Sequence, residues 1–173
     1  AYKAMHSRKT PVASFYANIL AFDGYYENKW FPYTMPISDI YGLRQAFDNI
    51  KNDPYMLERH AKIGNAVRAA VKEAGLELYQ ETGFSNTVTV FYVPEVTTDT
   101  AILTAMKEKC NIMLAGSFGA FAGKVIRIGH MGENAYPEKV GAVMAGLDLV
   151  FKDLGITLKC SLKEAYDREM SEQ

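Results

Sequence analysis

The sequence predicts an α+β fold, a small and mainly antiparallel sheet covered by helices, on three observations. Two consecutive segments, from Pro36 and from Asn52, carry apolar residues every three or four positions, the spacing of one helical face. Two short runs, Thr87–Val93 and Val125–Gly129, are β-branched, aromatic and alternating, as strands are. Further amphipathic helices lie between and after these strands, which is the order of an α+β layer.

Taken in order, residues 1–9 read as the tail of a helix, closed by Thr10-Pro11, because proline cannot continue a helix and restricts its neighbour. Residues 13–27 are aromatic and could form a helix broken at Gly24. Two close prolines, Pro32 and Pro36, make residues 30–36 a loop. A helix follows with Ile40, Leu43, Phe47 and Ile50 as its apolar stripe. Asn52-Asp53-Pro54 opens a longer one, with Leu57, Ala61, Gly64, Val67 and Val71 inward and Gly75 as its stop. Leu76–Tyr79 reads as a short strand, and Thr87–Val93 as a strand closed by Pro94. Thr97-Thr98-Asp99 caps a helix running to about Lys109. Asn111–Leu114 is a further short strand, and Gly116, Gly119 and Gly123 punctuate the turn into the Val125 strand. Val140, Val143, Leu147, Val150 and Leu154 mark an amphipathic helix ended by Gly155, and Ser161-Leu162-Lys163-Glu164 has the spacing of a capping box before a last, exposed helix.

Composition narrows the function. A chain of 173 residues, 49% hydrophobic and 23% charged, can bury a core without disulfides or metals. Net charge is -1 and no Lys/Arg cluster appears, which argues against nucleic acid. No apolar run nears the roughly 20 residues of a membrane span, and no signal peptide is visible, so the expected compartment is the cytoplasm. Two distant cysteines, Cys110 and Cys160, suit a reducing compartment as inert thiols.

The chemistry centres on Gly123-Lys124-Val125-Ile126-Arg127-Ile128-Gly129-His130-Met131-Gly132. On a strand, Ile126 and Ile128 share one face, and Val125 and Arg127 the other. A guanidinium among apolar neighbours needs a partner, and the usual one is a carboxylate held by two parallel hydrogen bonds. That carboxylate is either an Asp or Glu of the chain or a ligand. Other constellations fail. The stretch Gly119–Lys124 is one residue short of a phosphate loop, with Val125 where a Ser or Thr should stand. His6, His60 and His130 lack metal-ligand spacing, and no Ser, Cys or Thr sits in a nucleophile elbow. No metal site is therefore expected.

The run Lys124–Gly132 resembles the segment near the C-terminus of class V pyridoxal-phosphate-dependent aminotransferases, most closely the alanine–glyoxylate and serine–pyruvate branch. The resemblance extends over nearly the whole chain. It takes in Phe31-Pro32-Tyr33-Thr34-Met35-Pro36, the helix core Ile40-Tyr41-Gly42-Leu43-Arg44-Gln45-Ala46-Phe47, the pair Arg59-His60 and Ala74-Gly75-Leu76-Glu77-Leu78. Two departures stand out. A family tyrosine is Phe31 here, leaving either Tyr33 from a shifted register or one contact fewer, and a common second glycine is Ser117.

The resemblance implies the C-terminal domain of fold type I transferases that use this cofactor. Residues 1–35 would form a linking helix tail and loop, and 36–173 the small domain. Arg127 would bind the substrate's α-carboxylate, and Thr34 would reach across a homodimer to the cofactor phosphate of the partner subunit. His130 would pack rather than react. The family's cofactor-carrying lysine lies in a large preceding domain, and Lys3, Lys9 and Lys124 stand in helix-tail or strand contexts instead. The resemblance thus implies the C-terminal part of an aminotransferase that moves an amino group between a small amino acid, of alanine or serine type, and a 2-oxo acid. No catalytic residue is expected in this chain, which would begin after the lysine loop, be inactive alone and not hold the cofactor covalently. Its partners would be the missing large domain, the second subunit and the small substrates. The alternative is a freestanding regulatory module that binds a small carboxylate. A lyase or desulfurase reading would need a mobile reactive cysteine, and neither cysteine lies beside Arg127 in sequence.

Overall fold

The computed structural model describes residues 2–172 and divides the chain into two compact units, one ending at Asn52 and one starting at Asp53.

The first unit holds two α-helices, α1 (Tyr2–His6) and α2 (Ile37–Lys51). The aromatic segment between them is not the expected helix. It is a series of turns around a single 3-10 turn, Ile19–Phe22, whose Leu20 amide is capped by the Asn18 side chain, and Gly24 follows at φ +67°. Aromatic side chains are weak helix formers, and here they pack edge-on instead: Phe22 meets Tyr25, Phe31 and Tyr33 at 5.4–6.2 Å between ring centres. α2 does carry its apolar stripe, yet it buries no residue. Ile40, Leu43, Phe47 and Ile50 are 49–68% exposed.

The second unit builds a core. α3 (Met56–Glu73) packs against α6 (Leu162–Glu172) and against strand β1 (Val88–Tyr92). α5 (Pro137–Asp153) packs on α6 and on α4 (Asp99–Cys110). β1 pairs antiparallel with β2 (Val125–Gly129), with Val90 opposite Arg127. Alternation along β2 sends Ile126 and Ile128 into the core with Phe91, Ile63, Val67, Leu147 and Phe151, all fully buried or nearly so. Pro137 opens α5 at a position where its missing N–H costs nothing.

Several expectations change. The strands foreseen at Leu76–Tyr79 and Asn111–Leu114 do not form. Each flank makes one bridge only, Leu78 to Phe91 and Ala115 to Arg127, because few consecutive residues run alongside the sheet. Leu57, expected inward, is 77% exposed. Its turn of α3 is engaged through Arg59 and His60 instead. α6, expected to be exposed, buries Leu162, Ala165 and Tyr166. Its first amides at Leu162 and Lys163 donate to the Asp148 carboxylate of α5 at 2.8 and 3.0 Å, so a negative charge meets the positive end of the helix.

Candidate functional site

Arg127 sits in the middle of β2, fixed from both sides. Val90 pairs with it across the sheet, and on the other edge its amide donates to the Ala115 carbonyl at 2.7 Å. Its half-buried side chain turns to the next residue, and Nε donates to the Gly116 carbonyl at 2.6 Å. Among the described residues no carboxylate lies within ion-pair distance of the guanidinium, and Nη1 and Nη2 hold no hydrogen bond. The ion pairs of the second unit go elsewhere: Arg59 to Asp53, Lys109 to Asp153, Lys163 to Asp167 and Arg168 to Glu73. Of the two partners left open by the sequence, an acid of the described chain is therefore not what Arg127 binds. An open cleft of about 640 Å³ adjoins it, lined by Met113, Leu114, Lys139, Val140 and Val143 among others.

Gly116 is close-packed. A Cβ built on it would stand 3.2 Å from Asp99 Oδ2 and 3.5 Å from Leu103 Cδ1. Asp99 is itself held, since its Oδ1 accepts from the Thr100 amide at 2.7 Å. Sequence patterning marked Gly116 as turn punctuation and Asp99 as part of a helix cap. The contact between them and the carbonyl grip on Arg127 were missed, because backbone acceptors carry no sequence signature.

The turn after β2 is pinned by two histidines. His60 Nδ1 donates to the Met56 carbonyl at 2.7 Å, which leaves Nε2 to accept the Gly132 amide at 3.1 Å. His130 is fully buried between the Asn86 carbonyl, on Nδ1 at 3.1 Å, and the Thr89 hydroxyl, on Nε2 at 2.9 Å. Burial pushes its imidazole down to about 4, against the raising effect of the Asn86 carbonyl. His130 is a packed, neutral ring. Arg59 completes the grip: Nε donates to the Ala135 carbonyl at 2.8 Å, and the two Nη groups fork onto Asp53, whose carboxyl that hydrogen bond holds below the usual range. The Arg59-His60 pair thus joins the start of α3 to residues 132–135. In the sequence the pair stood out only through the family resemblance.

Thr34 belongs to the other unit. It is exposed, and its hydroxyl holds no hydrogen bond among the described residues. Tyr33 donates its hydroxyl to the Phe15 carbonyl at 2.7 Å. Cys110 leans on the Gly146 carbonyl, and burial raises the Cys160 thiol. Among the described residues there is no cluster of three metal-ligating side chains, and no helix is long and apolar enough to cross a membrane.

No family model matches the chain. Curated proteins do. An uncharacterized aminotransferase of Methanocaldococcus jannaschii is 36% identical over 149 residues, covering 84% of this chain and 38% of that protein. The serine–glyoxylate aminotransferase of Arabidopsis thaliana is 36% identical over 130 residues, covering 73% of this chain and 32% of the relative. Among solved structures, the ureidoglycine–glyoxylate aminotransferase of Bacillus subtilis superposes with a TM-score of 0.89 at 25% identity, over 99% of this chain and 46% of its own. The pyridoxamine–pyruvate aminotransferase of Mesorhizobium loti gives 0.85 at 27%, over 99% and 45%. The chain thus spans only about a third to two-fifths of the curated relatives' length.

Proposed function

The chain matches, in sequence and in fold, the C-terminal part of class V pyridoxal-phosphate-dependent aminotransferases, and from that premise we propose that it is the substrate-gripping part of such an enzyme. The parent would move an amino group from a small amino acid, of alanine or serine type, to a 2-oxo acid. The substrates that the relatives are named for fit this reading, because glyoxylate and pyruvate are 2-oxo acids and serine carries an α-carboxylate.

One observation carries the proposal. Arg127 is anchored through Nε on a carbonyl while both Nη groups are unpaired among the described residues. An arginine held in this way offers two parallel donors to an incoming carboxylate and fixes the substrate's direction before any bond changes. Half-buried Leu114 and Val143 line the cleft beside it.

When bound, pyridoxal phosphate supplies the electron sink for the amino transfer. The described residues suit only a small share of its binding. Thr34 offers one free hydroxyl for a phosphate, in the proposal that of the partner subunit's cofactor. Lysines among the described residues are exposed or half-buried, with none inside the core. In the proposal the lysine and most of the phosphate cradle belong to the part of the enzyme outside the matched segment, which in the relatives is more than half of the length.

The test is Arg127→Lys and Arg127→Gln in the enzyme that contains this chain. KM for the 2-oxo acid should rise tenfold or more, about 1.4 kcal/mol, because an ammonium cannot reproduce the fork. Unchanged saturation in both variants would sink the carboxylate role.

A further inference from the structure

We propose that Gly116 is a positioning residue for Arg127, acting through its carbonyl and through the Cβ it lacks. The inference rests on the carboxylate reading above and goes past it, because it names what aims the guanidinium. Arginine can offer a carboxylate two different forks, a side-on one made of Nε with one Nη, and an end-on one made of both Nη groups. In this structure Nε is spent on the Gly116 carbonyl at 2.6 Å. Only the end-on fork remains, so the ligand must approach along the axis of the side chain.

The carbonyl is placed by two constraints. Ala115 pairs with Arg127 across the sheet edge, its carbonyl taking the Arg127 amide at 2.7 Å, which sets the register of the next peptide. Gly116 then lies against Asp99 so closely that a Cβ would come to 3.2 Å from Oδ2. That oxygen has little room to retreat, because the other carboxylate oxygen is bonded to the Thr100 amide and hydroxyl. Leu103 Cδ1 would stand in ordinary contact at 3.5 Å. With a side chain at 116, either Asp99 Oδ2 or the peptide at 116 must give by a few tenths of an ångström, and in the proposal the peptide shifts and carries the Nε acceptor with it. Asp99 forms no ion pair with Arg127 itself, so its part is to set the position of Gly116 and not to neutralise the guanidinium.

The experiment compares Gly116→Ala, Gly116→Ala with Asp99→Ala, and Arg127→Gln in the enzyme containing this chain, with pyruvate as the 2-oxo acid. Misaiming by tenths of an ångström should raise KM about threefold to tenfold in Gly116→Ala while kcat stays within about twofold. Removing the Asp99 carboxylate should bring KM back toward the wild-type value. If Arg127→Gln raises KM and Gly116→Ala does not, the positioning role is wrong and the carboxylate reading stands. If Arg127→Gln itself changes nothing, the carboxylate reading fails first. Equal loss of kcat and KM performance in Gly116→Ala without rescue by Asp99→Ala would mark Gly116 as merely structural and overturn the proposal. Should the variant not fold, the wild-type enzyme containing this chain decides by NMR. An Arg127 Nε–H signal that exchanges slowly and couples to the Gly116 carbonyl is expected, and a fast-exchanging signal without that coupling overturns the proposal.

Discussion

The unit ending at Asn52 and the unit starting at Asp53 have similar apolar content to spend and use it oppositely. In the second, Ile63, Val67, Phe91, Ile126, Leu147 and Phe151 are fully buried around a two-stranded sheet. In the first, Ile40, Leu43, Phe47, Ile50, Tyr16 and Trp30 lie 49–82% exposed, and α2 buries nothing. An exposed apolar helix stripe of that kind is what a docking face looks like before its partner is in place. The relatives are more than twice the length of the matched segment, and the proposed large domain is where the cover for that face would come from. An amphipathic stripe in a sequence therefore states that a face will be buried. It does not say by what.

Four stability measurements on the 173-residue chain sharpen or break this contrast. Phe151→Ala should cost about 3–5 kcal/mol in denaturant unfolding, the usual loss for a buried aromatic. A loss below 1 kcal/mol would show that the second unit's core is loose. Next in size is pH. His130 is neutral and buried, with its pKa lowered to about 4, whereas the unfolded ring titrates near 6.5. Above pH 6.5 its contribution is complete. As pH falls from there toward 4 the unfolded chain takes up a proton that the folded chain refuses, and roughly 3 kcal/mol is lost, with no further loss from this group below. NMR titration of the ring checks it, and a midpoint near 6.5 in the folded protein contradicts it. Thr98→Ala should cost about 1 kcal/mol, because the Thr98 hydroxyl caps the Ala101 amide at 3.2 Å. Smallest is Phe47→Ala, expected within about 0.5 kcal/mol of wild type because the ring is 68% exposed. A cost like that of Phe151→Ala would erase the difference between the units.

Much of the second unit was legible in the sequence. The alternation Val125-Ile126-Arg127-Ile128 placed Arg127 opposite the core face, and Thr98 and Gly75 marked helix ends where they occur. What escaped was long-range. Whether Asn111–Leu114 becomes a strand depends on how many of its residues run beside β2, and only Ala115 bridges it. The direction of α6 depends on Asp148, thirteen residues before Ser161, capping its first turn. At the candidate site, Arg127 announced itself as a charge amid apolar residues. Its anchor on a glycine carbonyl, and the pinning of the following turn by His60 and Arg59, are contacts across 11 and more than 70 residues that local pattern cannot encode.

The most direct test of the account is a crystal structure of the enzyme containing this chain with a bound 2-oxo acid. Its carboxylate oxygens should lie about 2.7–2.9 Å from Nη1 and Nη2 of Arg127, with Nε still on the Gly116 carbonyl. A carboxylate bound elsewhere, with Arg127 closed onto an Asp or Glu of the remaining polypeptide, would contradict it.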